Sequence, residues 1–148
     1  MSDERLLTIT NQSKNLSEVR QVVAEMLDPS GFDRRQTNEI ILAVDEGLAN
    51  VVEHAYQGGV GEVKLIFGLD EETFRVHIRD NGVRFEPNEL RDAVDIHAHI
   101  KKGLKGGLGL FLMKRIMDDV YYTHDGPDYV NELVMVKKVP AVSGEADN

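Results

Sequence analysis

Two alternating runs of residues in the middle of the chain predict a β-hairpin. The first is EVKLIFGL (62–69) and the second is TFRVHIRD (73–80), with the turn-like sequence DEE between them. Successive side chains of a strand point to opposite faces, so strict alternation gives each strand one apolar face. The side chains predicted to pack together across the hairpin are Val63, Leu65, Phe67, Phe74, Val76 and Ile78.

Apolar residues that recur every three or four positions predict helices on both sides of this hairpin. Asp33 is a suitable N-cap for the longest helix, which is predicted to run to about Tyr56. The other predicted elements are a helix from Asn15 or Ser17 to about Leu27, a helix over 108–120, and strands over 5–10, 120–124 and 129–139. Residues 82–106 are too irregular for a packed element, apart from a short helix near 89–94, and are interpreted as a functional loop.

Length, cysteine content and charge narrow the class of protein. A chain of 148 residues fits a single domain, 1–148, with a frayed tail over 141–148. It contains no cysteine, and its first residues lack the basic and apolar segments of a signal peptide, so the cytoplasm is the expected location. No stretch approaches the ~18 apolar residues of a membrane span. A net charge of −9 disfavours direct binding of nucleic acid.

Three polar residues share one side of the longest predicted helix, in DEGLANVVEHAY (45–56). Glu46, Asn50 and His54 follow one another at intervals of four, which places them within about 80° around the helix axis. The apolar residues of the same helix cluster on another side: Ile41, Val44, Leu48, Val51 and Ala55. The interior Gly47 costs helix stability, which makes sense if something approaches closely there. The polar line is consistent with a functional site, and equally with a solvated helix face.

A second polar motif, RDNGVRF (79–85), begins at the end of the hairpin's second strand. The Asp80 carboxylate can accept a hydrogen bond from an exocyclic amine, and Gly82 lets the backbone come close to a flat ring. The same residues are also typical of an ordinary turn, so this motif alone does not decide between the two interpretations.

A glycine-rich segment, KGGLGLFLMKRI (105–116), leads into the predicted third helix. Unpaired N–H groups and the positive end of the helix dipole suit phosphate oxygens, and Gly106, Gly107 and Gly109 remove side chains that would block them. Five basic residues are expected around this start, in a protein that is acidic overall: Lys101, Lys102, Lys105, Lys114 and Arg115. Loop flexibility would also account for the glycines.

Together and in this order, the three motifs resemble the GHKL ATPase superfamily and, within it, the bacterial anti-sigma-factor serine kinases of partner-switching systems. DEGLANVVEHAY is similar to the family's first box, E-x-x-x-N-x-x-x-H, and DNGVRF is similar to its second, D-x-G. GGLGLFLMKRIMDDV is similar to the third box and the helix that follows it. The resemblance covers most of the chain, from about Leu6 to Lys138.

The resemblance implies a fold and a role for each matching residue. The fold is a two-layer α/β sandwich, the GHKL or Bergerat ATP-binding fold, with helices on one face of a mixed, largely antiparallel sheet. Glu46 would be the catalytic general base, and Asn50 would bind the Mg²⁺ that bridges the phosphates of ATP. Asp80 would accept a hydrogen bond from the adenine amino group, with Gly82 beneath the ring. His54 would be a neighbour of the nucleotide site.

The third box and the loop before it complete the implied ATP site. Gly107 and Gly109 would receive the phosphates, and residues from about 85 to 105 would form a lid over the nucleotide. The full set of expected ATP-binding residues is Asn50, His54, Asp80, Gly82, Lys105, Gly106, Gly107, Leu108 and Gly109. His97 and His99, within the lid, are interpreted as exposed bystanders rather than zinc ligands.

The chain departs from the family pattern at two positions near the nucleotide. Arg84 stands where the wider superfamily has a second glycine, a position that is loose in the anti-sigma branch. Relatives often have a Gly-Thr pair just before the last strand, and its threonine supports the adenine contact. This chain has no threonine there, which leaves Asn131 or Glu132 as the substitute.

The implied function is that of a serine/threonine protein kinase that phosphorylates an anti-sigma antagonist and sequesters a sigma factor. Its cofactors would be ATP and Mg²⁺, and it would be a homodimer whose sigma-binding surface includes the first helix. Two alternatives are an ATP-gated protein-binding module without phosphoryl transfer and a simple ATPase. An isolated ATPase domain of a sensor histidine kinase fits poorly, because the chain contains no separate helical domain with a phosphoacceptor histidine.

Overall fold

The structure, a computed structural model, describes residues 2–11, 17–56, 59–84 and 106–140, and for 106–108 it describes the backbone only. The elements are β1 (Asp3–Thr10), α1 (Ser17–Leu27), a 3-10 turn (Asp28–Ser30), α2 (Arg34–Ala55), β2 (Glu62–Leu69), β3 (Thr73–Asp80), α3 (Gly106–Ile116), β4 (Asp119–Gly126) and β5 (Tyr129–Lys138). Among these residues, no helix has the length and apolar character needed to cross a membrane. The predictions of a helix start at Asn15, a short helix near 89–94, a lid over 85–105 and a frayed tail over 141–148 lie outside them.

The five strands form one sheet in the order β1-β2-β3-β5-β4, and each neighbouring pair is antiparallel. The predicted hairpin is confirmed, with Leu65 opposite Ile78 and Phe67 opposite Val76. The three helices cover one face of this sheet. The predicted α/β fold with a largely antiparallel sheet is therefore confirmed, and within the described strands no parallel pairing occurs.

Alternation along the strands supplies the sheet side of the core. The six side chains predicted from the two alternating runs are all 0% exposed and belong to one apolar cluster with the helices. On β5, Leu133 and Met135 extend the same face. Because side chains alternate, this face continues to Asp80, two residues after Ile78, and to Asn131, two residues before Leu133. Among the described residues, the helix-covered side of the sheet thus includes two buried polar residues, Asp80 and Asn131.

α2 is the longest helix of the covering layer and begins at the predicted N-cap. The Asp33 side chain accepts a hydrogen bond from the Gln36 N–H (2.7 Å), and the Gln36 side chain accepts one from the Asp33 N–H (3.0 Å). This capping box satisfies two of the unpaired donors at the helix start. The buried side of the helix is broader than predicted: Ile40 is fully buried, whereas the predicted Ile41 is only partly buried.

Gly47 allows α2 to come close to both the sheet and α3. A Cβ at this position would lie 2.9 Å from Met135 Cε, 3.1 Å from Leu133 Cδ2 and 3.2 Å from Met113 Sδ. Carbon atoms pack best at about 3.5–4.0 Å, so a side chain here would displace its neighbours. The close approach that the sequence suggested at Gly47 is made by the protein's own core.

α3 ends at Ile116, before the predicted end at 120. Lys137 Nζ donates to the Ile116 carbonyl oxygen (2.8 Å), which satisfies one of the unpaired carbonyls of the helix end. Asp118 already pairs with β5, since its N–H donates to the Val136 carbonyl (2.8 Å) and its side chain accepts from the Lys138 N–H (2.6 Å). Bonds to β5 therefore replace the helical bonds that the sequence periodicity predicts.

Candidate functional site

The polar line of α2 lies beside a small cavity between this helix and the sheet. Asn50 and His54 line the cavity together with Asp80 at the end of β3. Glu46 stands one turn earlier on α2 and contacts α3 at Gly109. The full lining consists of Asn50, Val51, His54, Ala55, Asp80, Val83, Tyr122 and Asn131. Residues of the first and second motifs therefore line the cavity. The third motif lies against the same side of α2, where Gly109 is next to Glu46.

Asp80 is buried at the helix side of the sheet, with 4% exposure. Its Oδ1 accepts two hydrogen bonds, from the Gly82 N–H (2.9 Å) and from Asn131 Nδ2 (2.9 Å). Burial raises the pKa of the Asp80 carboxyl above its ordinary value, although both hydrogen bonds and nearby His124 act in the opposite direction. Within the described part of the chain no hydrogen bond reaches Oδ2, so this oxygen can accept one from a ligand.

Of the two candidates to replace the family threonine, Asn131 is the one that contacts Asp80. The two residues are opposite each other on β5 and β3, and Asn131 is 2% exposed. Its Nδ2 donates both to the Asp80 carboxylate and to the Val83 carbonyl oxygen (2.8 Å). An amide nitrogen has two protons to donate. Asn131 therefore fixes the position of the Asp80 carboxylate relative to the backbone at Val83.

Glu132, the other candidate, faces the opposite side of the sheet, because neighbouring residues of a strand alternate. Its carboxylate accepts hydrogen bonds from Arg79 Nε (2.6 Å) and Thr123 Oγ1 (2.8 Å). Burial would raise its pKa, but these two bonds and one with His77 outweigh burial and hold the pKa of Glu132 below its ordinary value. Glu132 stabilises the outer face of the sheet and does not line the cavity.

Gly82 passes directly over the C-terminal end of α2. A Cβ at this position would overlap the carbonyl oxygen of Ala55. The next residue, Val83, donates its N–H to that same oxygen (2.6 Å), which satisfies a carbonyl left unpaired at the helix end. The contact with α2 is thus sufficient to require glycine at position 82. The same contact brings the chain after Asp80 to the edge of the cavity.

Arg84, which stands at the position of a family glycine, forms an ion pair with Asp125 at the end of β4. Asp125 has a φ of 58°, a left-handed conformation that aspartate tolerates better than most residues. Both side chains are well exposed, so the pair contributes little stability. The pair does connect Arg84 to the end of β4, the strand that also carries Tyr122 of the cavity lining.

Tyr122 orients the side-chain amide of Asn50. Asn50 Nδ2 donates to the Tyr122 hydroxyl (3.1 Å), and the Tyr122 ring stacks on His124 with 6.5 Å between centroids and 19° between planes. With its nitrogen at Tyr122, the amide presents its oxygen elsewhere, and oxygen atoms are the ligands that Mg²⁺ prefers. The three motifs include neither Tyr122 nor His124. Alternation in VYYTH (120–124), which puts both on one face, is the signal that identifies them.

α3 begins at Gly106 and Gly107 and packs against α2. The N–H groups of its first turn have no partners within the helix. Lys114 and Arg115 lie in its last turn, about two turns or ~12 Å from the start. The prediction that these two residues surround the glycine-rich start is therefore wrong, because they stand at the other end. Lys101, Lys102, Lys105 and the side chain of Leu108 lie outside the described residues.

The chain matches a known protein family over a range that includes all three motifs. A family model described as a histidine kinase-like ATPase domain matches residues 9–137. The chain is 33% identical over 122 residues to a serine-protein kinase RsbW of Bacillus cereus (strain AH187), a match that covers 80% of this chain and 76% of the relative. A serine-protein kinase RsbW of Bacillus anthracis (strain A0248) is 33% identical over the same length.

We expect Tyr122→Phe to weaken the magnesium-dependent part of ATP binding by about two-fold to ten-fold. One neutral hydrogen bond is worth about 0.5–1.5 kcal/mol, and the phenyl ring preserves the packing while Asn50 loses the group that orients its amide. Calorimetric titration with ATP, with and without Mg²⁺, measures the difference.

Tyr121→Phe is the matched control for this variant. Tyr121 is the preceding residue of β4, faces the other side of the sheet and is 36% exposed. Its substitution should leave both titrations unchanged. Equal losses in the two variants, or no loss in Tyr122→Phe, would contradict the role of Tyr122.

We expect adenosine binding to weaken as the pH falls through the raised pKa of Asp80, at a higher pH than an ordinary aspartate would give. Protonation converts the acceptor into a carboxylic acid. Asn131→Ala removes a hydrogen bond that favours the charged form, so the transition should move to still higher pH. Fluorescence or calorimetric titration with adenosine, which lacks the titrating phosphates of ATP, measures both curves.

Asn38→Ala is the control for the pH experiment, because Asn38 is an exposed residue of α2 away from the cavity. Its curve should superimpose on that of the wild type. The interpretation fails if the Asn131→Ala curve superimposes on them as well.

Proposed function

We propose a function for this chain, which belongs to the histidine kinase-like ATPase family and, within it, to the serine-protein kinases. It transfers the γ-phosphoryl group of ATP to a serine or threonine hydroxyl of an anti-sigma antagonist protein, and it sequesters a sigma factor. It acts in the cytoplasm as a homodimer.

The observation that carries this proposal is the order of chemical groups along α2. His54 and Asp80 stand at its C-terminal end, Asn50 follows in the middle, and Glu46 lies nearest α3. From residue 46 to residue 54 the helix rises about 12 Å. An elongated nucleotide can therefore lie along the helix with its base at one end and its terminal phosphate near an acid at the other.

The base end of the site has the features that adenine needs. Asp80 offers Oδ2 as an acceptor for an exocyclic amino group, while Asn131 and Gly82 hold its Oδ1. Because the carboxylate is buried and fixed, a base with a carbonyl oxygen in place of the amino group would leave it unpaired. A buried unpaired acceptor of this kind discriminates strongly between ligands. This supports recognition of adenine rather than guanine.

The phosphate end of the site combines an amide oxygen with a helix start. Asn50 fits the magnesium of an ATP complex, since its amide nitrogen is engaged by Tyr122 and its oxygen is a hard ligand. When bound, Mg²⁺ neutralises phosphate charge. The N–H groups at the start of α3, with Gly106, Gly107, Leu108 and Gly109 and with Lys105 before them, receive the phosphate oxygens.

Glu46 supplies the base for the incoming hydroxyl. In the transfer, the bond between the γ-phosphorus and the β–γ bridging oxygen breaks, and a bond forms between that phosphorus and the hydroxyl oxygen. The hydroxyl proton passes to the Glu46 carboxylate, and ADP is the leaving group. A module that binds ATP only to change its shape has no use for an acid at this position, which favours the kinase over the gated module.

The partner surface is proposed to include α1. After its first residue, Ser17, this helix exposes the polar side chains of Glu18, Arg20, Gln21 and Glu25. Arg20 pairs with Asp45 of α2 (3.0 Å), the residue next to Glu46. A sigma factor bound to α1 would therefore lie close to the helix that carries the nucleotide site, which supports a link between the two activities.

We expect Glu46→Gln to reduce phosphoryl transfer by about 10²-fold or more while the affinity for Mg-ATP stays within a few-fold of wild type. The amide keeps the shape of the side chain but cannot take the proton, and loss of a general base costs about 10²- to 10⁴-fold. Transfer of radiolabelled phosphate to the antagonist, with identification of phosphoserine or phosphothreonine, measures the rate.

Glu53→Gln is the matched control, because Glu53 is an exposed residue on the same helix, away from the cavity. It should transfer phosphate at the wild-type rate. If the wild-type protein releases only free phosphate, the function is that of a simple ATPase. If it binds ATP and a sigma factor but does neither reaction, the gated binding module replaces the kinase.

A further inference from the structure

Gly109 of α3 lies against the Glu46 carboxylate, on the side where another residue would carry its side chain. A Cβ built on Gly109 would lie 2.8 Å from Glu46 Oε1, and 3.8 Å from both its Cβ and its Cδ. Unstrained contacts between a carbon and an oxygen atom begin at about 3.3 Å, even where the carbon carries a weakly donated hydrogen. The carboxylate oxygen therefore occupies space that any side chain at position 109 would need.

Backbone conformation does not explain a glycine at this position. Gly109 is the fourth residue of α3, and its φ lies outside the left-handed range. An alanine can adopt this backbone, and glycine is the poorest helix former apart from proline. The helix would be more stable with alanine at position 109, so the glycine has to be explained by a contact.

We infer that Gly109 is a positioning residue for phosphoryl transfer, because its lack of a side chain lets the Glu46 carboxylate stand against α3. The inference rests on the proposed function, in which Glu46 accepts the proton of the protein hydroxyl. It differs from a role in clearing space for phosphate, since the group that fills the space is the Glu46 carboxylate itself.

Among the described residues, the three atoms nearest to an added methyl group at position 109 all belong to Glu46. The nearest atom is the end of a flexible side chain, so the carboxylate can rotate away without movement of α2 or α3. Alanine also keeps the backbone N–H of residue 109, so hydrogen bonds from this N–H remain. A displacement of about 1 Å in a reacting group can cost ~10²-fold in rate. The substitution therefore moves the base, while the fold and the backbone N–H groups proposed to face the phosphates are kept.

The test compares Gly109→Ala with the wild-type protein in three measurements. We expect the melting temperature to be unchanged or higher, the Mg-ATP dissociation constant to stay within about three-fold, and phosphate transfer to the antagonist to fall at least ten-fold. Gly68→Ala is the matched control, because a Cβ at Gly68 would meet no atom of the described residues within 4 Å. Its transfer rate should equal that of the wild type.

A double-mutant cycle separates the effect on Glu46 from any other effect. In a Glu46→Gln background the methyl group has no base left to displace, so Gly109→Ala should cause no further loss of transfer. If the double variant instead shows the product of the two separate losses in transfer rate, the two substitutions act independently and the inference is overturned. A large fall in Mg-ATP affinity in Gly109→Ala would also overturn it, because the space would then belong to the nucleotide.

Carbon-13 NMR of the glutamate carboxyl groups gives a readout that does not depend on activity. The Glu46 resonance, assigned by its loss in Glu46→Gln, should shift in Gly109→Ala and stay in place in Gly68→Ala. If the wild-type protein transfers no phosphate, the proposed function fails, and this resonance alone decides whether Gly109 makes room for Glu46. If wild type and Gly109→Ala transfer equally fast, the proposed function stands and the inference is overturned.

Discussion

The packing of α2 on the apolar face of the sheet determines where every group of the site lies. The helix buries one whole side, which consists of Ile40, Ala43, Val44, Gly47, Leu48, Val51 and Ala55. Because that side is fixed on the sheet, Glu46, Asn50 and His54 come to lie along the adjoining edge, where they are only partly exposed. Burial of the apolar side is the main stabilising term, so the core positions the backbone of α2. Polar contacts such as the one from Asn50 to Tyr122 then orient the side chains of the site.

A second constraint is the cost of burying a carboxylate at the end of β3. An unpaired polar group in the interior costs about 1–3 kcal/mol, and a charged one costs more. Asp80 keeps one oxygen paired twice, through Asn131 and Gly82, and this leaves the other oxygen for a ligand. The chain at Gly82 also lies on the end of α2, against the Ala55 carbonyl. The sheet, the helix end and the acceptor are thus one connected unit.

The sequence predicts the parts of this structure that depend on local periodicity and fails where distant strands compete. The alternation of apolar and polar residues predicted the hairpin. The capping preference of Asp33 predicted the start of α2. The end of α3 was misplaced because Asp118 forms bonds with β5, which no local pattern shows. Choosing between Asn131 and Glu132 required the register of β5 against β3, and the role of Tyr122 required the distance between α2 and β4. These contacts join segments that are far apart in the chain, so they cannot be predicted from local patterns in a single sequence.

We propose that a divalent cation and ATP bind between Asn50 and the start of α3, and paramagnetic NMR tests this proposal most directly. With Mn²⁺ in place of Mg²⁺ and ATP present, we expect the strongest line broadening at Asn50 and at the backbone amides of Gly106 and Gly107. The acidic turn of Asp70, Glu71 and Glu72 lines a separate open cavity at the far end of β3, about 20 Å away. Broadening centred on that turn, with sharp lines at Asn50, would contradict the account.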